Sequence, residues 1–167
     1  STKKKNSLLW VGRLIEWKHP ELAVSIAKRL KDEGYRFNLN IIGIGDMQER
    51  LSELILLNNL NDCVHILGSM SPEEVRKHME ESEIFLFTSD RNEGWGAVLN
   101  EAMNSGCAVV ASHAIGSVPY LIENKSNGLI YKDGDKDDLY IKVKYLLDLS
   151  QKRMKIGHAA YLTILND

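Results

Sequence analysis

Short apolar runs alternate with longer amphipathic ones along most of the chain, and that alternation leaves few folds open. Residues 8–12, 37–43, 64–67, 84–88, 108–111 and 128–131 read as strands: they are short, rich in branched and aromatic residues, and bounded by glycine or polar residues. Residues 19–33, 46–58, a segment from Ser71, and residues 96–105, 118–123, 135–149 and 151–165 read as helices. In the first of these, Leu22, Ala23, Ile26, Ala27 and Leu30 recur at helical spacing, Pro20 suits the first turn and Gly34 supplies the stop. Asp46 is the expected cap of the second helix, and Ser71-Pro72-Glu73-Glu74 has the form of a capping box. Strands that are apolar throughout are covered on both faces, and strands separated by helices pair in parallel through right-handed crossovers. The expectation is an α/β, Rossmann-like, doubly wound domain over residues 8–165. It has a six-stranded, mostly parallel sheet with helices on both faces, behind a solvated lead-in of residues 1–7 bearing Lys3, Lys4 and Lys5. In such sheets the ligand lies outside the carboxyl ends of the strands. That rule selects the loops after Val11, Ile42, Leu67, Thr88 and Ala111.

Composition narrows the class of partner. The 167 residues suit one domain, and 44% of them are hydrophobic, enough for a core. A net charge of −2 argues against a nucleic-acid surface, which needs a basic excess. No apolar run approaches the ~20 residues that span a bilayer, and the lead-in has no apolar core of signal-peptide length behind it. Cys63 and Cys107 flank apolar runs and are expected to be reduced and buried, which fits the cytoplasm.

Three strand ends carry residues suited to chemistry. Gly12-Arg13 and Lys18 follow the first strand; Arg offers a planar fork to phosphate oxygens and Lys a mobile point charge. Gly43-Ile44-Gly45-Asp46 ends the second, but a dinucleotide fingerprint needs a third glycine where Gln48 stands, so a tight strand-to-helix turn explains it equally. The fourth is followed by Glu93-Gly94-Trp95-Gly96-Ala97-Val98-Leu99-Asn100-Glu101, in which two glutamates stand eight positions apart. Carboxylates there accept hydrogen bonds from a polyhydroxylated ligand, while glycine backbone and a helix N-terminus suit phosphate. His19, His65, His78, His113 and His158 are scattered, and each reads as a surface or structural histidine rather than a metal ligand. Trp17 and Trp95 read as packing residues.

Taken in order, Gly12-Arg13 with Lys18, Gly43-x-Gly45 and the E-x7-E stretch resemble the C-terminal, donor-binding half of GT-B glycosyltransferases of family 4, also called group 1. Residues 105–112, 116–119 and 127–131 match further, and the resemblance spans residues 8–149. It implies that Arg13 and Lys18 grip the diphosphate of a nucleotide-sugar donor and stabilise the leaving group. Glu93 would hold sugar hydroxyls, and the amides of Trp95, Gly96 and Ala97 would face the sugar and distal phosphate. Glu101 would take the ribose, Leu67, Gly68 and Met70 would lie beside the base, and Gly12, Gly43, Gly45 and Gly94 would be donor-binding positions as well. It implies a retaining reaction with no metal and no other cofactor, UDP-sugar as first donor and GDP-sugar as second. It also implies an N-terminal GT-B domain outside this chain, a fragment inactive alone, and membrane contact only through a parent protein at the inner membrane face. Tyr120 stands where the family often has an acid, Asn104 where a small apolar residue is commoner, and Asn100 where many relatives are apolar. Two other classes share such a domain: a GT-B nucleotide-sugar epimerase, which the spacing of the glutamates argues against, and a non-catalytic nucleotide-binding or interaction module.

Overall fold

The computed structural model describes residues 3–166. Six strands form one sheet: β1 (Ser7–Val11), β2 (Asn38–Ile42), β3 (Val64–Gly68), β4 (Ile84–Phe87), β5 (Ala108–Ser112) and β6 (Leu129–Tyr131). Their spatial order is β3-β2-β1-β4-β5-β6, and every neighbouring pair is parallel. The chain winds outward from β1 to β3, then returns to set β4 on the other side of β1. The order therefore reverses between β1 and β4, and a crevice opens at the carboxyl ends of strands flanking such a switch point.

The helices are α1 (Pro20–Asp32), α2 (Gln48–Leu57), α3 (Pro72–Glu81), α4 (Val98–Asn104), α5 (Val118–Leu121), α6 (Lys136–Asp148) and α7 (Ser150–Leu165). Strand periodicity divides the apolar side chains into two cores. Leu8, Trp10, Ile84, Leu86, Ala108 and Val110 face α1, α2 and α6. Leu9, Phe85, Phe87, Val109 and Ala111 face a second core that includes residues of α3, α4, α5 and α7. Both faces are covered, so residues 8–11, 84–87 and 108–111 of the central strands are apolar throughout.

Local signals account for most boundaries. Pro20 occupies the first turn of α1, and Gly34, at φ +87°, follows its end. Ser71 accepts from the Glu74 amide while Glu74 accepts from the Ser71 amide, closing the capping box of α3. Three expectations need correction. Asp46 does not cap α2: the cap position is Met47, with no side-chain bond, because residues 43–47 are drawn onto the loop after β1. The lead-in is not simply solvated. Lys3 donates to the carbonyls of Met79, Glu80 and Ser82 at the end of α3, Lys4 pairs with Glu81, and β1 begins at Ser7; Ser1 and Thr2 lie outside the described residues. Both cysteines are free, but only Cys107 is buried, and burial pushes its thiol up to about 11; Cys63 is half-buried. No helix among the described residues is long and apolar enough to cross a membrane.

Candidate functional site

The loops after β1 and β4 meet at the switch point, each through a short 3-10 turn: Glu16–Lys18 after β1 and Arg91–Glu93 after β4. Backbone and side chain join them. The Asp90 amide donates to the Trp17 carbonyl at 3.0 Å. The buried Thr88 hydroxyl receives the Trp10 indole N–H at 2.8 Å and reaches the carbonyls of Lys18 and His19 at 2.8 and 2.9 Å. Lys18 Nζ lies 2.7 Å from Glu93 Oε1, with 16% and 13% of the two side chains exposed. The same carboxylate oxygen accepts from the buried Ser89 hydroxyl at 2.8 Å. Glu93 Oε2 makes no hydrogen bond among the described residues and stays open to a ligand. The Lys18 ammonium also lies 4.7 Å from the centre of the Trp17 ring, so Trp17 forms one wall of a cation site.

Lys18 and Glu93 are thus brought into direct contact from 75 positions apart. Arg13 lies two residues beyond β1, exposed, and its guanidinium forms no ion pair among the described residues. Glu101 lies in the first turn of α4, also exposed and unpaired among them, where the helix dipole favours a negative charge. Arg13 and Glu101 stand at the same end of the sheet without touching.

The Gly94–Ala97 segment is held from below. The amides of Gly116 and Ser117 donate to the carbonyls of Gly94 and Trp95 at 2.7 and 2.9 Å, and the Ser117 hydroxyl reaches the Gly96 carbonyl at 3.4 Å. Gly96 has φ +78°, and a Cβ there would lie 2.7 Å from Ile115 and 3.0 Å from Phe87. With the carbonyls tied down, the amides of Trp95, Gly96 and Ala97 have no acceptor among the described residues, and α4 has no side-chain cap. Three successive donors therefore remain for an anion or a hydroxyl.

Gly43 and Gly45 form the tight turn between β2 and α2. They let residues 42–47 lie against the loop after β1: Gly12 donates to Ile42, Leu14 to Ile44, and Met47 to Leu14. Gly43 in turn donates to Gly68 at the end of β3, so the three strand ends form a continuous shelf. Leu67, Gly68 and Met70 are half-buried along its edge. Trp95 is not a packing residue: it is 53% exposed and stacks on Tyr120, itself 78% exposed, with ring centres 5.5 Å apart. A groove of about 800 Å³ lies at the opposite end of the sheet, among Lys3, Glu83, Gly106, Arg153 and Tyr161. It shares no residue with the loops at the carboxyl ends of the strands.

The sequence carries no motif that marks Ser89 or Asp90, shows Thr88 only as a strand end, and leaves His19 as a surface or structural histidine. The available signal was Ser-Asp directly after an apolar strand. Ser117 belongs to the matching stretch 116–119, and its amide and hydroxyl hold the carbonyls of Trp95 and Gly96.

A family model described as "Glycosyl transferases group 1" matches residues 1–163. The chain is 36% identical over 149 residues to the amylovoran biosynthesis glycosyltransferase AmsK of Erwinia amylovora, a match covering 86% of this chain and 36% of that protein. Among solved structures, the C-terminal domain of the glycosyl transferase group 1 family protein LpcC from Francisella tularensis superposes with a TM-score of 0.88 at 21% identity, covering 99% of this chain and 87% of that one. Anabaena HepE in complex with UDP gives 0.88 at 22% identity, covering 97% of this chain and 44% of that one. The chain spans about a third of the length of the curated relatives it matches.

Proposed function

Because the chain belongs to the glycosyl transferases group 1 family, we propose that it is the donor-binding half of a retaining hexosyltransferase. Its donor is a nucleoside-diphosphate sugar, UDP-linked first and GDP-linked second, and its product is a glycoconjugate or polysaccharide. The acceptor site belongs to an N-terminal domain that closes over the shelf described above. The observation that carries this reading is the contact between Lys18 and Glu93 across the switch point. It sets a cation and a carboxylate beside three amides, one carboxylate oxygen and all three amides being unbonded among the described residues.

The chemistry follows from where charge develops. As the glycosidic bond breaks, electrons pass to the nucleoside diphosphate. In this reading Arg13 binds its phosphate oxygens through the guanidinium fork, and the Lys18 ammonium shares the new charge. Removing one such donor costs roughly 3 kcal/mol in the barrier. Glu93 is oriented by Lys18 and Ser89 through one oxygen, and in this reading its other oxygen accepts from sugar hydroxyls rather than moving a proton. The amides at residues 95–97 meet the sugar and the distal phosphate. Glu101 accepts from the ribose hydroxyls, and the base lies along Leu67, Gly68 and Met70. The roles need no metal from this chain.

Titration calorimetry with UDP, GDP and ADP tests the reading: heat with UDP or GDP is expected, and none with any of the three at millimolar concentration points to a non-catalytic module. Arg13→Ala is expected to weaken UDP at least tenfold more than uridine, a difference of 1.4 kcal/mol in binding; equal losses refute the phosphate role. Glu101→Ala is expected to weaken UDP more than its 2′,3′-dideoxy analogue. An unchanged preference removes Glu101 from the ribose.

A further inference from the structure

We infer that His19 is a positioning residue: held as an imidazolium between Glu21 and Asp90, it straps the loop carrying Lys18 to the loop carrying Glu93. The strap stands on geometry alone; its bearing on donor binding rests on the function proposed above. His19 directly follows Lys18, and Asp90 lies three residues before Glu93. The ring is half-buried, with Nδ1 3.0 Å from Glu21 Oε2 and Nε2 3.1 Å from Asp90 Oδ2. A neutral imidazole has one N–H and one lone pair, so it satisfies only one of two facing carboxylates; the imidazolium donates to both.

The backbone supports the same role. His19 sits at φ 51°, ψ 52°, in the left-handed region, immediately before Pro20. A residue other than glycine persists there when its surroundings hold it. Here they do so through the ring contacts, through its carbonyl bound by Thr88, and through its amide donating to Glu16.

The groups facing the ring are Glu21 from α1 and Asp90 from the loop after β4. The adjacent cation, Lys18, is turned onto Glu93, and Glu16 and Arg91 on the two short turns form no ion pair with the ring. Burial alone works against the charged ring. The hydrogen bonds and charges of Glu21 and Asp90 outweigh it, and the His19 pKa is raised above its ordinary 6.5. Burial likewise works against the Asp90 carboxylate, but the Asn92 amide and His19 hold its pKa below the usual value. The strap is therefore complete below pH 6.5 as long as the two carboxylates are ionised, is lost as pH rises through the higher folded value of the ring, and is lost again in acid as pH falls through the lowered value of Asp90.

Hydrogen exchange of the Asp90 amide, which bridges the loops to the Trp17 carbonyl, reads the strap without any ligand. Corrected for intrinsic exchange, its protection is expected to fall about tenfold between pH 6 and 8.5 as the ring loses its charge. In His19→Gln, and in Asp90→Asn should the first not fold, the protection is expected to be flat with pH. The UDP dissociation constant of the unmodified chain, relative to that of the variant, is expected to rise by a similar factor over the same range. Protection that is flat in the unmodified chain, or falls equally in the variants, overturns the strap even if UDP binds. Intact pH dependence with no UDP binding at any pH supports the strap and overturns the donor reading instead.

Discussion

Lys18→Met is expected to lower the unfolding free energy of this chain by about 3 kcal/mol, and Lys18→Met with Glu93→Gln to restore most of the loss. The reason lies in the exposure of the pair. At 16% and 13%, both side chains are largely out of water, so the deletion of one partner leaves the other charged, desolvated and short of its main contact. The Ser89 hydroxyl remains to Glu93 but carries no charge. The double substitution removes both desolvation costs together with the attraction, and the two nearly cancel in buried pairs. The figure stands at the low end for such pairs because a sixth of the lysine side chain still meets solvent. Urea unfolding of the two single variants and the double variant measures the coupling. A double variant losing the sum of the single losses would show that the contact does not exist as described. UDP binding separates stability from function: it is expected to be lost in all three, including the double variant that has regained its stability.

That pair also marks where the sequence stops being legible. Each half could be seen alone: Lys18 as a cation after the first strand, Glu93 as a carboxylate after the fourth. Strand positions follow from local apolar pattern, and because both faces are covered that pattern survives tertiary packing, so the six strands are recovered within one or two residues at each end. The capping box of α3 is likewise a local arrangement of four residues and forms as written. What fails is whatever depends on contacts between distant segments. Asp46 has the right chemistry for a cap, yet the backbone ladder onto residues 12–14 moves the start of α2 past it. Trp95 has the composition of a core residue, but Gly96 and the Gly116–Ser117 bonds turn its loop outward onto Tyr120. His19 shows no signal at all, since a histidine beside a proline is unremarkable until Asp90 arrives from 71 positions away.

Gly43→Ala is expected to be the most damaging single-methyl change at this end of the sheet, costing more than about 4 kcal/mol or preventing folding, which places it among the exceptional single substitutions. Gly43 has φ +143°, and a Cβ on it would fall 1.7 Å from the Gly12 carbonyl oxygen and 2.9 Å from its carbon. Backbone atoms cannot swing aside as a side chain does. The loop after β1 would have to retreat, breaking the bonds from Gly12 to Ile42 and from Leu14 to Ile44 and carrying Arg13 with it. Gly68→Ala is the control. Its φ is +79°, but nothing lies within 4 Å of the added carbon, so only the left-handed penalty of about 1–2 kcal/mol applies. The two glycines are themselves joined, Gly43 donating to the Gly68 carbonyl at 2.9 Å, so the comparison stays in one neighbourhood and varies the backbone conformation together with the space available. Thermal and urea unfolding of both variants reads the difference, and equal losses would mean that the strand ends are not packed backbone against backbone. Where a second-site change rescues Gly43→Ala folding, UDP affinity is still expected to be weakened more than uridine affinity, because the displaced loop is the one that presents the guanidinium to phosphate.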